Sequence, residues 1–316
     1  MLTAATPRTD RRLATALLNL LESPLAPTAV TAFASDLAGG TTLGCVRSEN
    51  QDRHLIVQYR SADLERCFRL AVVADGVGSL PESGLSASAG LAAFVGSIVA
   101  EVEGHLAEPS APDWPQLLRR AVQEANEAVC SRTGEDGATT LAAVLLPGNA
   151  PPFAVQVGDS KIFGLDEAFQ FTQLCTDQTM AAQFQDRGVL DASPGEDYSP
   201  LERALAQFLG QPGGVDPEIR LLGTNWSALL VATDGIMPAR QLLVPAGWQL
   251  LAESAGTPVE FVRQSLALAN ALGGTDNTTL ILLPGGSAGV SPADPEAGAL
   301  LTAAAGTRTI ELHRPA

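Results

Sequence analysis

Residues 68–78 read FRLAVVADGVG, an apolar run that ends in an aspartate and a glycine-rich turn. The run Phe68–Ala74 is rich in Val, Leu and Phe, which is typical of a buried β-strand. Two helical stretches follow together, Gly84–Val102 and Trp114–Ser131. Strands resume after this helix pair, so the chain lacks the alternating rhythm of a doubly wound sheet. This order predicts an α+β fold in which helices pack on antiparallel sheets.

Eight further apolar runs have the same strand-like composition and are bounded by Gly, Asp or Pro. They are His54–Tyr59, Thr139–Leu146, Phe153–Val157, Lys161–Leu165, Ala168–Leu174, Ile219–Leu222, Ala228–Thr233 and Thr278–Leu283. Another helix is predicted over Pro258–Leu272, because Thr257 can cap it, proline suits its first position and Gly273 can end it.

The composition along the chain predicts three parts. Residues 1–33 hold an amphipathic helix candidate, Arg12–Glu22, and a proline-containing linker. Residues 34–284 hold the predicted strands and the remaining helices. Residues 285–316 are rich in Gly, Ala, Ser and Pro, which predicts a flexible tail apart from a short strand at Thr307–His313.

The composition also excludes several classes of function. Acidic residues outnumber basic ones 35 to 19, and the formal net charge of −16 argues against a nucleic-acid binder. No uninterrupted apolar run reaches the roughly 18 residues that a membrane span needs, and no signal-peptide cleavage site follows the apolar stretch near the N-terminus. The four cysteines are scattered without a C-x-x-C pair, which fits a reducing cytosol. We therefore expect a cytoplasmic protein without a membrane span.

Five aspartates lie at the ends of apolar runs. Asp75, Asp159 and Asp234 follow such runs, whereas Asp52 and Asp276 precede them. A carboxylate at the end of a core strand loses hydration and must be paired, hydrogen-bonded or bound to a metal. Any one of them could simply begin a turn. Five together, in a chain with only 3 histidines, are typical of a two-metal hydrolytic centre with oxygen ligands, which selects hard cations such as Mg(II) or Mn(II).

Six motifs occur in an order that resembles the metal-dependent serine/threonine protein phosphatases, the PPM or type 2C family, in its bacterial branch. They are Arg47–Asp52, Ala74–Gly78, Gly137–Thr140, Val157–Ser160, Asp234–Gly235 and Thr275–Thr279. The resemblance implies two antiparallel β-sheets that form a sandwich flanked by helices (α-β-β-α). It also implies a metal cleft at one end of the sandwich and a flap at about residues 178–216.

The resemblance implies a ligand set for two Mn(II) or Mg(II) ions. Asp75 would bridge the two ions and is therefore expected to be catalytic. Asp234 and Asp276 would hold the first ion, while Asp52 and the backbone carbonyl of Gly76 would serve the second, partly through waters. Two bridged cations lower the pKa of a shared water and so make a hydroxide nucleophile.

Further residues are interpreted from the same resemblance. Asp159 would belong to a third, weaker metal position, and Arg47 would bind the phosphate as a catalytic residue. Val77 stands where animal members carry a histidine proposed to protonate the leaving group. From their places in the sequence, His54 is interpreted first as a strand histidine and second as a hydrogen-bonding group behind the metal ligands. Lys161, the only lysine, is interpreted as a solvated turn residue rather than as a substrate contact. The bias toward arginine indicates a GC-rich, bacterial genome.

The expected function is hydrolysis of phosphoserine and phosphothreonine in proteins by attack of the metal-bridging hydroxide. Two alternatives stay open, namely a catalytically weak phosphatase-like module that binds and regulates, and a phosphohydrolase of small molecules. The complete set of aspartates favours the active enzyme over the binding module. Expected partners are phosphorylated proteins and a serine/threonine kinase, and the sequence does not determine the oligomeric state.

Overall fold

The computed structural model describes residues 10–104, 111–190, 199–237, 245–286 and 298–314. The helices within these ranges are α1 (Arg11–Leu21), α2 (Ser83–Gly104), α3 (Trp114–Thr133), α4 (Met180–Asp186), α5 (Ser199–Arg203), α6 (Pro245–Ser254) and α7 (Pro258–Ala271). The strands are β1 (Thr28–Ala34), β2 (Leu37–Thr42), β3 (Arg53–Arg60), β4 (Phe68–Ala74), β5 (Leu141–Pro147), β6 (Phe153–Val157), β7 (Lys161–Leu165), β8 (Phe171–Gln173), β9 (Glu218–Leu221), β10 (Ala228–Ala232), β11 (Thr278–Pro284), β12 (Ala299–Ala305) and β13 (Arg308–Arg314).

The strands form two antiparallel sheets. Sheet A has the order β1-β2-β11-β10-β7-β8, and sheet B has the order β13-β12-β3-β4-β5-β6-β9. Helices α1, α2 and α3 cover the outer face of sheet B, and α7 with α6 covers sheet A. The predicted α-β-β-α sandwich is therefore confirmed.

Strand β4 shows why the deciding stretch reads as one apolar run. All seven of its residues are buried, because helices cover one face of sheet B and sheet A covers the other. Leu70 and Val72 pack toward the helices, whereas Ala71 and Val73 pack into the layer between the sheets. A strand that is covered on both faces loses the alternation of a half-exposed strand.

Every strand and helix predicted from the sequence corresponds to an observed element. The cap predicted for α7 is present, because Thr257 Oγ1 accepts a hydrogen bond from Glu260 N at 3.2 Å. Strand β8 begins three residues later than predicted, at Phe171 rather than Ala168. The residues before it form a turn in which Asp166 Oδ1 accepts from Ala168 N at 2.8 Å and from Gln170 N at 2.9 Å.

Helix α2 is long and apolar enough to cross a membrane, judged by length and composition alone, although its sequence contains no uninterrupted apolar run of that length. In the fold, 83% of its most apolar 18-residue window is buried inside the protein. It contacts α1, α3 and strands β3 and β4. Core helices of globular proteins can be equally long and apolar, and the burial of α2 is typical of such a core helix.

The N-terminal helix and the end of the chain meet on sheet B. Leu13 and Leu17 of α1 are buried in the core beneath that sheet's helices. Arg314 at the end of β13 donates to both carboxylate oxygens of Glu103, at 2.8 and 2.7 Å, and to Asp10 at 2.7 Å. One arginine thus joins α1, α2 and the last strand.

The expected flexible tail is wrong for residues 298–314. Strand β12 pairs with β3 along its length, and β13 pairs with β12, so both extend sheet B. Alanine is depleted in strands, which hid β12 (ALLTAAA) in the composition. Its alanines Ala303 and Ala304 are buried. The short strand predicted near Thr307–His313 corresponds to β13, while residues 287–297 lie outside the described residues.

Strands β1 and β2 were not predicted. The sequence of β2, LAGGTT, contains two glycines, which weaken the strand pattern. Helix α7 explains one of these two glycines, since a Cβ at Gly40 would come within 2.8 Å of Val262 Cγ1. The predicted boundary at residue 34 falls inside β1, which is the edge strand of sheet A. The division of the chain into an extension, a phosphatase part and a tail otherwise stays a prediction.

Candidate metal centre

The fold brings the five predicted aspartates to one end of the sandwich. Asp52 precedes β3 and Asp75 follows β4, and these antiparallel strands pair Arg53 with Ala74, so both carboxylates flank one edge of sheet B. In sheet A, β10 pairs with β11, which places Asp234 and Asp276 at the matching edge. Strand connectivity alone therefore assembles acidic groups from both sheets.

The aspartates lie close enough to perturb one another's protonation. Burial raises the pKa of Asp75 well above its ordinary value, and the charges of the other four aspartates raise it further. Burial likewise raises the pKa of Asp52 to about 7 and that of Asp159 to about 7, with added repulsion from Asp234 in both cases. These anions lack sufficient compensation from the protein itself, which is the situation that a bound cation relieves.

The donors present fit a hard divalent cation. The ligand candidates are carboxylate oxygens with the backbone carbonyl of Gly76, and such oxygen donors suit Mg(II) and Mn(II). Among the described residues, no group of three or more His, Cys, Asp or Glu side chains is arranged as a ready-made metal site. Instead, Asp234 shares a hydrogen bond with Asp75, and Asp276 Oδ2 accepts from Arg47 Nη2 at 2.6 Å.

Arg47 lies at the rim of the carboxylate cluster. Its side chain is 39% exposed, and its hydrogen bond to Asp276 raises its pKa, with smaller contributions from the charges of Asp75 and Asp234. The loop that carries it is fixed by Asn277, whose Nδ2 donates to Leu43 O at 2.9 Å. The structure thus places a guanidinium where it reaches both the aspartates and solvent.

Two threonines that the sequence reasoning missed support Asp52. Thr233 Oγ1 donates to Asp52 Oδ2 at 2.8 Å, and it accepts from Thr279 N at 2.9 Å. Asp52 itself is only 1% exposed, so these hydrogen bonds replace lost hydration. A signal was present in the sequence, because Thr233 directly precedes Asp234 and Thr279 belongs to the motif around Asp276.

The two threonines of the third motif, Thr139 and Thr140, fix the backbone of Asp75. Thr140 Oγ1 accepts from Asp75 N at 3.0 Å, and Thr139 Oγ1 donates to Asp75 O at 2.9 Å. Thr140 Oγ1 also lies 2.7 Å from Ser160 Oγ, beside Asp159. One hydroxyl therefore connects the turns that carry Asp75 and Asp159.

The prediction that Lys161 is a solvated turn residue is wrong. Lys161 is 6% exposed, and its Nζ donates to Asp177 Oδ2. The strand that it begins lies between β10 and β8 in sheet A, and Lys161 itself pairs with Ala232 of β10. A buried lysine needs an acidic partner, and the sequence does not indicate that Asp177, 16 residues further along the chain, is that partner.

His54 is a buried strand histidine, as its first interpretation had it. Its ring is 2% exposed, and Nε2 accepts from Gly306 N at 3.3 Å, in the turn between β12 and β13. Burial lowers the pKa of His54 to about 4, with a smaller contribution from Arg53. The side chain thus joins sheet B to its C-terminal strands. His105 lies outside the described residues.

The architecture and the acidic cluster together define the metal-dependent phosphatase class of fold. A family model described as protein phosphatase 2C matches residues 46–270. The chain belongs to this family, and its membership supports a protein phosphatase, a hydrolase acting on phosphoproteins, with the Mn or Mg dependence of the family. No curated protein matches the chain.

Solved structures of bacterial phosphatases share the fold. The PPM Ser-Thr phosphatase MsPP from Mycobacterium smegmatis, in complex with cacodylate, is 26% identical and aligns over 79% of this chain and 99% of that chain, with a TM-score of 0.59. The S. agalactiae serine/threonine phosphatase is 21% identical over 81% and 98%, with a TM-score of 0.63. The catalytic domain of PstP in complex with 2 manganese ions is 20% identical over 81% and 97%, with a TM-score of 0.57.

Proposed function

We propose that this protein removes phosphate from phosphoserine and phosphothreonine in proteins, using Mn(II) or Mg(II) held by its aspartates. One observation carries the proposal, namely the approach of carboxylates from both sheets at one end of the sandwich. Burial and mutual repulsion disfavour the anionic forms of Asp52, Asp75, Asp159 and Asp234. Divalent cations stabilise such a cluster and are the cofactors of phosphate-ester hydrolysis.

The ligand roles are part of this proposal. Asp75, Asp234 and Asp276 would hold the first ion, and Asp75, Asp52 and the carbonyl of Gly76 would hold the second. When bound, these cations lower the pKa of water and thereby supply the nucleophile for hydrolysis. A third, weaker position belongs to Asp159, whose turn is joined to that of Asp75 through Ser160 and Thr140.

The protein's own groups orient the substrate. Arg47 binds two oxygens of the phosphate with its planar guanidinium and so directs the phosphorus toward the aspartates. Its contact with Asp276 keeps it at the rim, where the partly exposed side chain can meet an incoming phosphate. Thr233 and Thr140 keep Asp52 and Asp75 in place, so the ligands do not have to be reorganised during the reaction.

The proposal includes a biological setting. The substrates are proteins phosphorylated by a serine/threonine kinase, and the enzyme works in the cytoplasm of a bacterium. Residues 34–284 form its catalytic part, while α1 and the strands β12 and β13 add to the helical side of the sandwich and to the edge of sheet B.

Phosphate release tests the proposal. The purified chain is assayed on a phosphothreonine peptide with Mn(II), with Mg(II) and after exhaustive chelation, and Mn(II) binding is followed by electron paramagnetic resonance. Activity is expected with either ion and not after chelation. Asp234→Asn is expected to lower turnover by several orders of magnitude and to lose bound Mn(II) while the circular dichroism is unchanged, because an amide lacks the charge that holds a cation. Full activity after chelation would refute the metal-dependent reading.

A further inference from the structure

Lys161 lies between the acidic cluster and the predicted flap. It begins β7 and pairs in register with Ala232 of β10, two residues before Asp234. Along the chain it follows Asp159 by two residues. Its ammonium is buried and donates to Asp177, whose other carboxylate oxygen accepts from Gln173 Nε2 at 2.9 Å. The chain's only lysine thus reaches from the edge of the acidic cluster to the residues where the flap begins.

The residues at the start of the flap are also hydrogen-bonded to the turn that carries Asp159. We define residues 176–180 as the first flap segment. Gln178 N donates to Gly158 O at 3.0 Å, and Gly158 N donates to Gln178 Oε1 at 2.9 Å. Gln156 Nε2 donates to Thr176 O at 2.7 Å. Gly158 has φ of 97°, a conformation that glycine adopts freely, so this close double contact depends on it.

The returning part of the flap is attached as well. We define residues 204–209 as the second flap segment. Ala206 N donates to Gln178 O at 2.8 Å, which joins it to the first segment. Leu209 and Thr139 exchange two backbone hydrogen bonds, at 2.8 and 3.1 Å, and Thr139 supports Asp75. Both ends of the flap are therefore connected to turns that carry proposed metal ligands.

We propose that Lys161 is a positioning residue whose ion pair with Asp177 holds the first flap segment against the Asp159 turn, and that this contact sets the affinity for the phosphoprotein. The inference rests on the proposed function for its kinetic part. Lys161 is buried whereas Asp177 is partly exposed. Loss of Asp177 therefore leaves an uncompensated buried ammonium, and loss of Lys161 removes the contact that anchors Asp177, so either change is expected to release the segment. Because the first flap segment is hydrogen-bonded to the Asp159 turn, we expect it to contact the polypeptide around the phosphate, and an aryl phosphate has no such polypeptide.

Amide hydrogen exchange and substrate kinetics on the full chain test this role. The variants are Lys161→Met and Asp177→Asn, with Lys161→Arg as the conservative variant. Arg263→Met, which removes the exposed pair of α7 with Glu260, is the matched control. In Lys161→Met and Asp177→Asn, the amides of Gln178 and Ala206 are expected to exchange about tenfold faster or more, since local opening exposes them. Lys161→Arg is expected to restore protection, and the control to leave it unchanged.

The kinetic readout separates positioning from general damage. The KM for a phosphothreonine peptide relative to that for an aryl phosphate is expected to rise about tenfold in Lys161→Met and Asp177→Asn. The double variant should add little to either single change, because both remove the same ion pair. Asp177 is partly exposed, so Asp177→Asn keeps the test valid if Lys161→Met does not fold.

Two results would overturn the inference. Unchanged protection at Gln178 in both variants would mean that the ion pair does not hold the flap segment. An equal rise of KM for both substrates would mean that Lys161 acts on the phosphate site itself. If the wild-type protein hydrolysed neither substrate, the proposed function would fail, and the exchange comparison would still decide whether the ion pair holds the segment.

Discussion

Replacement of Thr140 by valine should lower the stability of the protein modestly and its turnover much more, because Thr140 positions Asp75. Thr140 is 2% exposed, and its hydroxyl lies 3.0 Å from Asp75 N and 2.7 Å from Ser160 Oγ. Valine has nearly the same shape but leaves the Asp75 amide without a partner. An unsatisfied buried donor costs about 1–3 kcal/mol. This corresponds to a fall in Tm of about 2–5 °C for a domain of this size.

The effect on turnover should exceed what this loss of stability explains. Asp75 is proposed to bridge two ions, and a displacement of about 1 Å at a catalytic group can cost 10²-fold in rate. We therefore expect Thr140→Val to lower kcat about 10- to 100-fold at a temperature where the protein is still folded. The Mn(II) concentration for half-maximal activity should rise together with this change.

The matched control is Ser265→Ala in α7. Ser265 is also 2% exposed, and its hydroxyl donates to Phe261 O at 2.8 Å, on the side of sheet A away from the aspartates. Calorimetry gives Tm for both variants, and aryl phosphate hydrolysis gives kcat across a Mn(II) titration. Ser265→Ala should leave kcat unchanged and change Tm little, because the Phe261 carbonyl keeps its helical backbone partner and alanine favours the helix. If Thr140→Val lost stability and kept its wild-type kcat, the argument that Thr140 positions Asp75 would be wrong.

Three further predictions concern phosphate binding, acid stability and the leaving group. Arg47→Ala should mainly raise KM, as expected for a contact made equally in the ground and transition states, and steady-state kinetics that leave KM unchanged would contradict phosphate contact. A hydrogen bond from Arg314 lowers the pKa of Asp10 in the folded protein. Ionised Asp10 therefore stabilises the folded state at pH values above the pKa that it has in the unfolded chain. This stabilisation is lost as the pH falls through the pKa of Asp10 in the folded state. In Arg314→Met, acid unfolding followed by circular dichroism should therefore show a flatter pH dependence below about pH 4. Because Val77 cannot donate a proton, saturated turnover of an aryl phosphate should exceed that of a phosphoserine peptide, and Val77→His should narrow the difference.

The sequence predicted the parts of the fold in which apolar runs end at charged or glycine-rich turns. Strand β4 and Asp75 are an example, because burial on both faces makes an unbroken apolar run and the site needs a carboxylate where the run stops. Strand β2 was missed for the opposite reason. Its Gly40 is required by the approach of α7, a tertiary contact that leaves only a weak local pattern in the sequence.

The candidate site was predictable in its composition but not in its supporting contacts. Five aspartates could be selected because a core strand end is a costly place for a carboxylate. The hydrogen bond from Thr233 to Asp52 joins residues that are 181 positions apart, and the Lys161–Asp177 pair crosses from one strand to a later turn. The first pair depends on how the two sheets align and the second on the path of the chain after β8, and a single sequence specifies neither.

The last prediction concerns which residue, if any, protonates the leaving group. Expulsion of an alkoxide from phosphoserine is assisted by a general acid, which is worth about 10²–10⁴-fold. Val77 offers none, and Nε2 of the buried His54 ring is occupied by hydrogen bonds with Gly306 N, in the turn between β12 and β13, and with Thr31 Oγ1 of β1. His54→Ala should therefore loosen the attachment of those strands and lower Tm, yet it should not widen the difference between the aryl and phosphoserine substrates. Equal turnover of both substrates, with chemistry rate-limiting, would require a proton donor other than these two residues.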